Sequence, residues 1–176
     1  GTDMIYAYGV STLDATDVFE SLQHIQGKQK IKLMYSDNHP SIKRACRNLG
    51  IMREYSQPGV HETNSVIERT NLDILDGQRT LLIAAGLPSC FWPYAIACYC
   101  MMETIAEDDV DGKCAWFARF GSYFEGKAIP LGCGVFFKPA TTKYLPDKAD
   151  SRLQYGIFMG YRLAPGGTWN GEYLVA

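Results

Sequence analysis

The sequence predicts an α/β fold followed by a small antiparallel β unit. Two observations carry this expectation. Strand-like and helix-like apolar periods alternate over the first 105 residues, and the composition turns to β-branched, aromatic, Gly and Pro residues after Glu107. With 176 residues, 47% hydrophobic and 20% charged, the chain has enough apolar material for one good core, or for a domain and a small second one. A disordered or collagen-like chain is excluded.

The elements follow in order. Met4 to Val10 alternates weakly and suits a strand. Thr16 to Leu22 reads as a short helix, with Val18, Leu22 and Ile25 on one face, Thr12 or Asp14 as its cap and Gly27 as its end. Ile31 to Tyr35 is a short strand that runs into the polar Ser36-Asp37-Asn38. In open α/β sheets, ligands and catalytic groups collect at that end of a strand. Ile42 to Leu49 is a short basic helix closed by Gly50, and Met52 to Ser56 is another strand. Gln57-Pro58-Gly59 opens a loop.

A long helix is expected from Ser65 to Ala85. Ile67, Ile74 and Leu81 repeat every seven residues, and Leu75 and Leu82 widen that stripe. Gly86-Leu87-Pro88 stops it, and Ser89 to Ile105 gives a last, very apolar helix. Residues 1–107 therefore form the α/β part. Residues 108–128 read as a link, starting at the acidic, turn-rich Asp108-Asp109-Val110-Asp111-Gly112. Residues 129–176 form the β unit, with strands at Gly134–Phe137, Tyr155–Tyr161 and Glu172–Val175 and a turn at Ala164-Pro165-Gly166-Gly167.

Several function classes fall away. A net charge of −2 excludes a generally basic chain that coats nucleic acid by charge alone. No charged residue stands between Arg79 and Glu103, but Gly86, Pro88 and Pro93 cut that stretch, so two helices meeting at a turn explain it better than a membrane span. The six cysteines are irregularly spaced without a CxxC pair, which points to buried free thiols in a reducing compartment and not to zinc. His39 and His61 read as exposed loop residues. Phe91, Trp92 and Tyr94 read as core, Trp169 and Tyr173 as core or a binding surface, and Lys28, Lys30 and Lys32 as a solvated strand edge or a phosphate contact.

Two acids stand out by position: Asp37 ends a strand and Glu68 starts the long helix. The residues alone leave their roles open. Asp37 in Asp-Asn suits a turn as well as a site, and Ser65-Val66-Ile67-Glu68 fits a capping box as well as a metal ligand.

The stretch from Asp37 to Asn71 adds a resemblance. Ser36-Asp37-Asn38, the loop ending in Asn64-Ser65, and Glu68-Arg69-Thr70-Asn71 together resemble the catalytic core of retrotransposon and retroviral integrases, a ribonuclease-H-like fold. Leu87-Pro88-Ser89-Cys90-Phe91-Trp92-Pro93-Tyr94-Ala95 looks like a further segment of that family. Gly126–Gly132 and Gly156–Tyr161 look like the small β-barrel that follows the core in copia-type polyproteins.

The resemblance implies metal-dependent DNA strand transfer. In that chemistry two divalent cations about 4 Å apart activate the attacking oxygen and steady the leaving one. Asp37 and Glu68 match the second and third of the family's three carboxylates, as catalytic residues and as ligands of Mg2+ or Mn2+. Asn64, Arg69 and Arg44 are the implied DNA contacts, and Arg47 and Arg53 are further cations able to meet phosphates. DNA ends and target DNA are the implied partners of a nuclear homo-oligomer without a membrane anchor.

The chain departs from the family pattern in three places. Glu68 lies 31 positions after Asp37, closer than is usual, with the shortfall in the helix of residues 41 to 49. His61-Glu62 replaces a Pro-Gln, and Ser65 replaces a Gly. The first aspartate has no counterpart, since Asp3, Asp14 and Asp17 do not end a suitable strand. The chain therefore reads as an N-terminally truncated core. A non-catalytic remnant that binds nucleic acid or protein is the alternative.

Overall fold

A computed structural model describes residues 2–10, 12–55, 65–106, 112–139 and 147–176. The element order is α1 (Ala15–Gln26), β1 (Leu33–Ser36), α2 (Pro40–Leu49), β2 (Met52–Tyr55), α3 (Ser65–Ala85), α4 (Trp92–Ile105), α5 (Ala115–Phe120), β3 (Gly134–Phe137), β4 (Gln154–Ala164) and β5 (Thr168–Val175). A short 3-10 turn, Ser89–Phe91, leads into α4.

Local chemistry sets the first helices. The Asp14 carboxylate accepts from the Thr16 and Asp17 amides at 2.8 and 2.9 Å and so caps α1. Those two bonds also hold its pKa below the ordinary value. Gly50 closes α2 in the left-handed conformation, at φ +66°. α2 begins two residues earlier than expected, at Pro40, because the His39 ring accepts from the Ser41 amide at 3.4 Å and proline suits the first helical turn.

β1 and β2 pair in parallel, with Leu33 opposite Met52 and Ser36 opposite Tyr55. α1 and α2 pack together beside them. Leu22, Ala45, Cys46 and Ile51 form the buried centre of this unit, with Met34 packed against it. Strand alternation turns Leu33, Tyr35 and Met52 to the opposite face, where all three are exposed. Among the described residues this sheet has two strands and two unpaired edges.

The expected strand at Met4–Val10 does not form. A strand needs a ladder partner, and this segment is held by side chains instead. The Thr104 hydroxyl donates to the Ile5 carbonyl at 3.4 Å, the Tyr6 hydroxyl to the Gly166 carbonyl at 3.3 Å, and Tyr8 bonds the His24 ring.

The second core joins α3, α4, α5 and β4. Leu82, Ala95, Cys98, Met101, Trp116 and Phe158 lie at its centre. The apolar stripe of α3 is only partly used: Leu82 is buried, while Ile67 and Leu75 remain 42% and 40% exposed. The reason is length. At 1.5 Å per residue α3 runs about 31 Å and α4 about 21 Å, so α4 covers only the C-terminal part of α3. The N-terminal end of α3, with Glu68, is left open.

α5 was not foreseen within residues 108–128. Its start is capped by the Cys114 sulfur, 3.4 Å from the Phe117 amide, and its Trp116 enters the second core. That core thus takes side chains from both sides of the expected link. β3, β4 and β5 form an antiparallel sheet in that order. Among the described residues it is an open three-stranded sheet, too few strands to close as the expected barrel. Trp169 and Tyr173 pack against the second core as expected, whereas Trp92 and Tyr94 are 48% and 44% exposed.

Of the six free thiols, Cys46, Cys98, Cys100 and Cys114 are buried, but Cys90 and Cys133 are exposed, against expectation. Among the described residues no helix is long and apolar enough to cross a membrane.

Candidate functional site

The site starts from the end of β1. Met34 and Ser36 face the first core, so the chain leaves that core at Ser36 and Asp37 emerges into solvent. Its carbonyl accepts from the His39 amide at 2.8 Å, which turns the chain into α2. Its carboxylate stays free: among the described residues it takes part in no hydrogen bond and no ion pair. Asn38 follows and accepts from Arg53 Nη2 at 2.8 Å, which ties the end of β1 to β2.

Glu68 lies in the first turn of α3, exposed. Among the described residues its carboxylate is likewise unpaired. Asp37 and Glu68 belong to different packing units, the first on the α1–α2 core and the second on the uncovered end of α3. Both are hard oxygen donors that suit Mg2+ or Mn2+. Among the described residues no three His, Cys, Asp or Glu side chains gather as a metal site.

The implied DNA contacts fare differently. Arg44 on α2 and Arg69 beside Glu68 are exposed and unpaired among the described residues. Asn64 and His61 lie outside the described residues. Arg53, by contrast, is half-buried, with its guanidinium 5.4 Å from the Tyr55 ring centroid. The link between Asn38 and Arg53 was not anticipated. A usable signal was present: residues 51, 53 and 55 share one face of a strand, next to a helix carrying Lys43 and Arg47.

No protein-family model matches the chain. It is 34% identical over 153 residues to the retrovirus-related Pol polyprotein of transposon TNT 1-94 from Nicotiana tabacum, which covers 81% of this chain and 11% of that protein. It is 27% identical over 158 residues to the corresponding polyprotein of transposon RE2 from Arabidopsis thaliana, covering 85% of this chain and 10% of that one. The chain belongs with the retrovirus-related Pol polyproteins of transposons.

It spans about a tenth of the length of these curated relatives. Among solved structures, the catalytic core domain of BIV integrase superposes with a TM-score of 0.50 at 20% identity, over 66% of this chain and 77% of that one. The fold is therefore that of a retroviral-type integrase core, as the motif at Asp37–Asn71 led one to expect.

Proposed function

We propose that this chain serves DNA integration as a nucleic-acid-binding part of a retrotransposon integrase. Asp37 and Glu68 are two of the carboxylates of its divalent-cation site. Arg44, Arg69 and Asn64 contact the DNA.

One observation carries the reading. On an integrase-type fold, the strand-end acid and the helix-start acid are both exposed, and neither carboxylate is spent on a structural bond. A capping or turn role would have consumed them. Magnesium or manganese ions held there would activate an attacking oxygen and stabilise a leaving one at phosphorus.

Direct Mn2+ titration followed by electron paramagnetic resonance tests the assignment. The account expects weak binding that is lost in both Asp37→Ala and Glu68→Ala. Binding that both variants retain would sink the assignment.

A further inference from the structure

We propose that the cavity between α2 and β2 is a binding site for the phosphodiester backbone of a nucleic acid. The inference deepens the function proposed above, because the identity of the ligand rests on that reading.

The cavity measures about 380 Å3. Two periodicities build it. Helical spacing puts Lys43, Cys46 and Arg47 on one face of α2, and strand alternation puts Ile51, Arg53 and Tyr55 on one face of β2. Asn38 closes it on the side of Asp37. Among the described residues, three cations thus line the cavity and no carboxylate does. Glu54 falls on the opposite face of its strand, and Asp37 does not line the cavity.

Arg53 is the decisive group. Its Nη2 is used by Asn38, but Nε and Nη1 are shut off from water and have no hydrogen-bond partner. Two buried guanidinium nitrogens without an acceptor are costly, and an anion beside the half-buried Arg53 offsets part of that cost. The field of Arg53 reaches the cavity floor: burial pushes the Cys46 thiol pKa up, and the Arg53 charge pulls against it. A guanidinium flanked by two exposed cations suits a phosphate, whose oxygens accept several charged donors at once.

The test is fluorescence anisotropy of a labelled DNA duplex with the whole 176-residue chain, in EDTA and across salt concentrations. EDTA removes any contribution of cations at Asp37 and Glu68, so failure here is distinct from failure of the metal assignment. Replacing Lys43, Arg47 and Arg53 together by Gln should reduce the slope of log affinity against log salt by about 2.7. A control replaces Lys28, Lys30 and Lys32 by Gln, the same loss of charge on another surface, and should change the slope much less.

Equal effects of the two triple variants would overturn the proposal. So would inorganic phosphate binding that the cavity variant loses while its duplex binding is unchanged, which would mark a free-phosphate site. If the cavity variant fails to fold, Lys43→Gln and Arg47→Gln, both at exposed positions, give the same reading singly, with a slope change of about 0.9 each.

Discussion

Gly27 at the end of α1 lies against Gly166 in the β4–β5 turn: a Cβ added to Gly27 falls 2.5 Å from the Gly166 amide nitrogen. That amide donates to the His24 carbonyl at 2.7 Å. This joint ties the α1–α2 unit to the C-terminal sheet, and the N-terminal segment bridges the same two parts through its Tyr8–His24 and Tyr6–Gly166 bonds. The two packing units therefore meet through a glycine pair and a few hydrogen bonds.

Gly27→Ala should be markedly destabilising, by about 2–4 kcal/mol, because the new methyl meets backbone at a φ of +54°. Gly50→Ala makes the comparison. Its φ is +66° but nothing lies within 4 Å of the added Cβ, so it should lose only about 1 kcal/mol. Urea unfolding of both variants checks the difference, and equal losses would remove the joint from the account.

Gly77 marks where α3 crosses α4. A Cβ there would run into the Tyr99 ring, so Gly77→Ala should destabilise although alanine is the better helix former by about 1 kcal/mol. Adding Tyr99→Leu should recover much of the loss. If the double variant unfolds as readily as Gly77→Ala alone, the crossing is elsewhere.

Burial raises the thiol pKa of Cys98 and of Cys100 from the ordinary 9.0 to about 11. Burial first, and the neighbouring Tyr6 second, push Tyr8 up to about 12. The folded chain keeps these protons where the unfolded chain has lost them. Their contribution is therefore whole below about pH 9 and fades as the pH rises through 11. Denaturant midpoints taken between pH 8 and 11 should fall steadily; a flat profile would contradict the burial. Under native conditions at pH 8, a thiol reagent should modify Cys90 and Cys133 rapidly and the four buried thiols only on unfolding.

Long periodic segments were legible from sequence: α3 begins and ends where the Ser65 and Ala85 signals put it. Met4–Val10 was not, because alternation reports a half-buried segment without naming what its backbone bonds to. α5 was missed because six residues carry too little period to stand out of a turn-rich stretch. The burial of α3 was misjudged for a different reason: its apolar stripe is continuous in sequence, but α4 is too short to cover it.

The positions of Asp37 at a strand end and of Glu68 in the first turn of α3 were readable from the sequence. The Asn38–Arg53 contact was not, since it joins residues 15 apart whose meeting depends on the parallel pairing of β1 with β2.

The central claim is that this fold binds DNA through a strand-end site completed by divalent cations. Anisotropy of a labelled duplex at about 50 mM salt, compared in Mg2+ and in EDTA, tests it most directly. The account predicts binding that tightens in Mg2+, with the enhancement absent from Asp37→Ala. No detectable binding in either condition, or an equal enhancement in the variant, would contradict it.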